Sequence, residues 1–292
     1  MFNIVILVGL VLFGLVLGSF AGATVWRLRA RQLVVDKKNG EPYDHAEYLS
    51  LKKLTSEKVS KDRSRCLHCS YTLKWYDLIP LVSWLSLKGR CRKCHKPIGR
   101  MEPLIEIGTA VFFAVSYIFW PVELVGGIQL TIFALWLIAG VGLAIMFAYD
   151  SKWFLLPDGV NFAVIGIGLA SAILTIIGST DKIAAILSVV GSIAILSGLY
   201  FVLWLISKGR WIGFGDIKLG LGLGLLLADW KLALIALFFA NLIGCIIVIP
   251  LMITGKLKRN ARVPFGPLLI AGAVVTKFIG VAIAEFYTLS LL

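Results

Sequence analysis

The chain has 292 residues, 59% of them hydrophobic and only 15% charged, with 29 Lys and Arg against 16 Asp and Glu for a net charge of +13. That much apolar material exceeds what a soluble domain buries, so an ordinary globular protein is excluded and lipid is the expected solvent. The basic residues fall in loops between apolar runs, where the positive-inside rule expects them, and this argues against nucleic acid as a partner.

Residues 4–26 form the first apolar run. It lacks a charged n-region and, at about 20 residues, is long enough to span a bilayer, so it reads as a retained anchor rather than a cleaved signal. Residues 27–102 are polar and hold 18 of the 29 Lys and Arg, which places them in the cytoplasm. Within them, Lys37-Lys38-Asn39-Gly40 is a turn signal, and residues 33–62 carry a charged stretch of weak helical pattern.

Cys66-x-x-Cys69 and Cys91-x-x-Cys94 follow. Disulfides are disfavoured in the cytoplasm, and two CxxC pairs supply the four thiolates of a closed tetrahedral zinc site. Such a site folds a small segment that has little core of its own. Iron in a rubredoxin-like site or a redox dithiol fits the same spacing. His68 and His95 lie inside the knuckles and, with four cysteines present, read as solvated.

Seven more apolar runs follow, at 103–121, 127–149, 159–178, 183–206, 216–229, 231–254 and 265–288. With residues 27–102 inside, 26 of the 29 basic residues fall on that side, among them Lys152, Lys208, Arg210, Lys218, Lys256, Lys258, Arg259 and Arg262. The expected fold is therefore an all-α polytopic membrane protein. It has about eight transmembrane helices, both termini outside and a cytoplasmic zinc-binding insertion after the first helix. The expected domains are an anchor at 1–26, a four-cysteine segment at 27–102 and a seven-helix membrane domain at 103–292.

The sixth run is short. Asp216 to Asp229 spans about 20 Å of helix against a hydrocarbon core of about 30 Å, so Asp216 should lie roughly 10 Å below the cytoplasmic surface. Gly220, Gly222 and Gly224 leave this helix open to close approach by neighbours. The third span brings Asp150 to the same face. An acid at a membrane rim is costly and marks a functional site by default. Two carboxylates close together cannot both ionise cheaply, so one holds a proton while the other accepts one, the arrangement of an aspartyl protease. The plainer reading makes Asp150 and Asp216 solvated interfacial acids paired with Lys152 or Lys218.

Asp158, just after Pro157, reads as a helix-start residue that could also tune Asp150. Cys245 reads as a small packing residue, Glu106 as a partner of Arg100 or a residue reaching the interface, and Lys277 as a buried cation in need of an acidic or carbonyl partner. Val263-Pro264-Phe265-Gly266-Pro267 reads as a rigid helix entry or as a wall of the cleft.

Several motifs in chain order resemble one family, the bacterial type IV prepilin leader peptidases. They are Gly18-Ser19-Phe20 with Arg27-Leu28, Arg63-Ser64-x-Cys66-x-x-Cys69 with Asp77-Leu78-Ile79-Pro80, and Gly89-x-Cys91-x-x-Cys94. Asp150 with Leu156-Pro157-Asp158, Gly213-x-Gly215-Asp216-x-Lys218-Leu219 and Pro264-Phe265-Gly266-Pro267 complete the set. The resemblance implies a GxGD-type intramembrane aspartyl protease in the bacterial inner membrane, with Asp150 and Asp216 as its catalytic pair. It implies cleavage after the glycine of a basic leader on type IV prepilins or pseudopilins, and methylation of the new amine with S-adenosylmethionine. Gly22-Ala23 and Met101-Glu102-Pro103 depart from the family pattern, in the part linked to methyl transfer. Asp158, Glu102 and Glu106 are the local acids that would attract a basic leader. A polytopic transporter or channel with a structural zinc site is the alternative from another class.

Overall fold

The structure is a computed structural model, and it describes residues 3–55, 63–258 and 262–290, with side chains to Tyr287. Residues 56–62 of the charged stretch, and Arg259 among the inner-loop cations, lie outside the described residues. The chain divides into two compact units, residues 1–114 and 115–292. Among the described residues the architecture is all-helical, and β pairing is limited to the single bridges Arg65–Thr72 and Arg90–Pro97.

The first unit opens with α1, Ile4–Asn39, one uninterrupted helix of 36 residues. Its N-cap Asn3 accepts the N–H groups of Val5 and Ile6, and Gly40 ends it at φ 73°, donating to the Asp36 carbonyl. The turn signal at 37–40 is thus a left-handed helix C-cap, the conformation glycine adopts most cheaply. The helix outlasts its apolar run because its C-terminal half has a core of its own. Ala30 and Leu33 bury against Tyr48 and Leu51 at α2, His45–Leu51.

In its apolar half, Gly14, Gly18 and Gly22 form a stripe facing α4, Met101–Ile118. A β-carbon at Gly14 would stand 2.8 Å from the Ala110 α-carbon, and one at Gly18 would stand 2.7 Å from that of Glu106. The two backbones meet at a distance only glycine permits, as small-residue repeats do in membranes. Glu106 departs from its expected pairing with Arg100. It is buried, accepts the Leu81 N–H at 2.8 Å and bonds Ser19. Leu81, just before α3 (Val82–Ser86), has the positive φ of 58° that side chains rarely adopt, and its N–H is the one bonded by that carboxylate.

The second unit runs α5 (Gly127–Trp153), α6 (Asp158–Gly178), α7 (Lys182–Ile193), a π turn (Ala194–Gly198), α8 (Leu199–Ser207), α9 (Phe214–Leu227), α10 (Trp230–Ile253) and α11 (Phe265–Ser290). Counting α7 through α8 as one span, seven helices of the described chain are long and apolar enough to cross a membrane. The eighth, α9, has only 14 residues, the short sixth run expected above.

The centre of this unit is α9, held at close range. A β-carbon at Gly220 would collide with the Leu196 carbonyl in the π turn, and one at Gly224 would stand 3.1 Å from the Ser192 carbonyl oxygen. Ser192 and Ser197 hydroxyls donate to the Gly224 and Ile217 carbonyls at 2.8 and 3.0 Å. The wider π turn pushes a backbone carbonyl toward α9, and glycine leaves the room to receive it.

The structure places two further residues. Lys277 lies among indole rings, 5.1 Å from Trp120 and 5.6 Å from Trp136, and interacts electrostatically with Asp229, the acid the sequence did not identify. Cys245 lies on an exposed face of α10 rather than in packing contact.

Candidate functional site

Cys66 and Cys91 each open a knuckle of the same build. The residue after the second cysteine of each pair, Ser70 and His95, turns back at φ 58° and 56°. Its N–H donates to the carbonyl of Cys66 or Cys91, while the Cys66 and Cys91 N–H groups bond the carbonyls of Tyr71 and Lys96. Two such turns facing each other converge all four sulfurs within 4.8 Å, with Cys66–Cys94 and Cys69–Cys91 at 3.9 Å. A zinc ion at about 2.3 Å from each sulfur of a regular tetrahedron sets the sulfurs about 3.8 Å apart, so the two 3.9 Å pairs already match this donor set to the metal and the wider pairs need close by no more than about 1 Å. His95 is used for its backbone.

Asp77 braces the cluster from outside. It accepts from Arg92 at 2.7 Å and from the Lys74 N–H at 3.2 Å. Burial pushes the Cys66 thiol up to about 12. Burial also opposes ionisation of Cys91, but the N–H groups of Cys94 and Lys93 outweigh it and bring that thiol down to about 7. A metal bound here has protons to displace.

The aspartates are assembled differently. Asp150 lies in the last turn of α5, 5% exposed, and its carboxylate accepts the Gly266 N–H at 3.1 Å. That N–H is one of the unpaired donors at the start of α11, where the helix dipole also favours a negative charge. Gly266 is required there, because a β-carbon would stand 2.8 Å from the Asp150 oxygen. Asp216 lies in the first turn of α9, accepts the Gly213 N–H at 3.2 Å and interacts electrostatically with Asp150. Two acids 66 positions apart therefore lie at one end of the second unit, close enough to interact electrostatically.

Asp158, in the first turn of α6, does not cap its helix. Pro157 holds the cap position, and the Asp158 carboxylate bonds Lys218 at 2.7 Å. Lys218 is thereby engaged by Asp158 and not by the aspartate pair. On α6, Asn161 is fully buried and donates to the Gly215 carbonyl at 3.3 Å, tying the Gly213–Asp216 turn in place. Leu156 packs beneath that turn, 3.1 Å from where a Gly215 β-carbon would be and 3.3 Å from the same point on Gly266. Glu102 and Glu106 belong to the first unit, where Glu102 accepts the Trp26 indole N–H at 2.7 Å.

Sequence reasoning singled out both aspartates but missed Gly266 as the donor to Asp150, Asn161 as the brace, and Tyr200 within the field of Asp216. Proline on both sides of Gly266 signalled a helix entry, and nothing local said which acid it would face. Asn161, a polar residue in an apolar helix, was the signal available for the brace.

Two family models match the chain, the bacterial peptidase A24 N-terminal domain over residues 12–120 and the type IV leader peptidase family over residues 136–249. The chain is similar to the type 4 prepilin-like proteins leader peptide-processing enzyme of Escherichia coli O78:H11. The two are 32% identical over 268 residues, which is 91% of each chain. It is also similar to prepilin leader peptidase/N-methyltransferases of Burkholderia pseudomallei strain 1026b, at 31% identity over 96% of this chain and 86% of that one, and of Aeromonas hydrophila, at 29% over 94% and 91%. No solved structure matches it. With a relative more than 30% identical along nearly the whole of both chains, and both halves matched by models in the expected order, the chain belongs to the type IV prepilin leader peptidase family.

Proposed function

We propose that the chain is a multi-pass aspartyl endopeptidase of the bacterial inner membrane that removes the leader of type IV prepilin-like proteins, with Asp150 and Asp216 as the catalytic pair. The observation that carries this reading is the proximity of the two acids at helix ends, one held by the Gly266 N–H and each within the other's field. The family membership and the names of the relatives support the substrate class.

Two carboxylates in that relation share one proton. The ionised one takes a proton from water as the water oxygen bonds the scissile carbonyl carbon. The protonated one gives its proton to the carbonyl oxygen, forming a tetrahedral diol. Collapse breaks the C–N bond, returns the carbonyl, protonates the leaving nitrogen and releases an acid and an amine. The Gly266 and Gly213 N–H groups hold the two carboxylates in register throughout.

The loops at this end of the second unit carry Lys152, Lys208, Arg210, Lys256, Lys258 and Arg262, which favours a cytoplasmic orientation for the aspartates and for the cysteine segment. A basic leader followed by an apolar helix would then present its scissile bond at the same level. Residues 27–102 would fold around zinc held by Cys66, Cys69, Cys91 and Cys94, and residues 103–292 would form the peptidase domain. By the names of its relatives the protein would also N-methylate the new terminus with S-adenosylmethionine.

The test is cleavage of a membrane-embedded prepilin by wild type, Asp150→Asn and Asp216→Asn. Loss of cleavage in each variant, with helical content and zinc retained, is expected. Cleavage by either variant at the wild-type rate refutes the assignment.

A further inference from the structure

Tyr200 sits at the start of α8, directly after the π turn, and is 4% exposed. Its ring packs edge-on against Phe265, with centroids 5.2 Å apart, at the residue before the glycine that holds Asp150. Its hydroxyl is buried, feels the charge of Asp216 and has no hydrogen-bond partner among the described residues. Nothing in apolar packing calls for that oxygen, since phenylalanine would fill the same space. A buried phenol usually finds an acceptor, and leaving one unmet is costly in a membrane interior.

We propose that Tyr200 is a further catalytic residue of the aspartate site, donating its O–H to the oxygen of the scissile carbonyl as that carbon becomes tetrahedral. This rests on the peptidase reading above. No proton leaves Tyr200. The aspartates carry out the proton transfers, and the phenol stabilises the charge that develops on oxygen before the protonated aspartate delivers its proton, the role of an oxyanion-hole donor. The π turn gives the residue its place, because one extra residue in that turn advances all of α8 relative to α7.

The test compares Tyr200→Phe with wild type on a membrane-embedded prepilin, with Asp216→Asn as the inactive reference. Phenylalanine keeps the ring and its contact with Phe265, so the fold is expected to stay intact. The expected result is a fall in kcat of about 10²-fold with KM changed by less than about threefold, since the bond is made in the transition state.

A second readout separates this role from a structural one. Tyr200→Phe should weaken binding of a hydroxyl-bearing transition-state mimic about tenfold or more while leaving an uncleavable substrate peptide at wild-type affinity. Equal weakening of both ligands overturns the proposal in favour of a packing role. Wild-type kcat in Tyr200→Phe, with Asp216→Asn inert, overturns it while leaving the peptidase reading in place. Wild-type protein that cuts no prepilin overturns both.

Discussion

The cysteine cluster in the first unit and the aspartate pair in the second are built by opposite routes. Cys66, Cys69, Cys91 and Cys94 lie within 29 residues of one another, and each knuckle closes through hydrogen bonds spanning no more than five residues. Asp150 and Asp216 are each ordinary helix-end acids on their own. They gain chemical meaning only because α5, α6, α9 and α11 converge, and Asp150 takes its N–H donor from a residue 116 positions away. A local site of the first kind is closed by its own turns, and a metal it could hold would lock them. A distributed site of the second kind depends on helix packing, and small changes in packing become changes in geometry.

The sharpest way to break this contrast is to remove either carboxylate. Asp150→Asn and Asp216→Asn should each lower prepilin cleavage by at least about 10³-fold, measured as released leader, with bound zinc unchanged. If the sites are independent, zinc content does not move.

Gly266→Ala comes next. It removes no catalytic group, but its new methyl would stand 2.8 Å from the Asp150 oxygen. Displacing the Asp150 carboxylate by about 1 Å should cost about 10²-fold in kcat. A Gly266→Ala enzyme with wild-type kcat would show that the bond between α11 and Asp150 is dispensable.

From the other side of the comparison, Cys66→Ser should lower bound metal to well below one equivalent per chain and expose residues 63–100 to protease. Any loss of cleavage should be partial and secondary. Full zinc occupancy in a variant lacking all four cysteines would contradict the cluster as the metal site.

The smallest effect should come from Asp158→Asn. This acid is 63% exposed and its bond to Lys218 lies at the rim, so stability should change by less than about 1 kcal/mol. Any slowing of cleavage should appear with basic leaders and vanish with leaders stripped of charge. Equal slowing on both would place Asp158 in the chemistry rather than in leader attraction.

How much of this was legible beforehand follows the same division. The number of long apolar helices, the shortness of α9 and its glycine face were readable because hydropathy and helix rise are local properties. The four-cysteine cluster was readable because each CxxC pair is a local turn and a metal-binding set needs two of them. The extension of α1 to Asn39 was not, because the core formed with Tyr48 and Leu51 outweighs the change to polar composition at Arg27. Nor were the partners of Lys277, since its cation–π contacts with Trp120 and Trp136 and its interaction with Asp229 come from other helices and connecting segments. Glu106 was misread for the same reason. Arg100 is its neighbour in the chain, whereas Leu81 and Ser19 are its neighbours in space.

Composition and pattern alone determined that this is a multi-pass membrane protein of helices with a four-cysteine insertion after the first helix and two acids at helix ends. Only the tertiary structure decided that Asp150 is held by Gly266, that Asn161 braces the Asp216 turn, that Lys218 belongs to Asp158, and that Tyr200 is buried within the field of Asp216 with its hydroxyl unmet. The physical reason is range. Helix formation and metal-ligand spacing are settled within a few turns of chain, while a carboxylate's partners in lipid are whichever helix ends the packing brings to it.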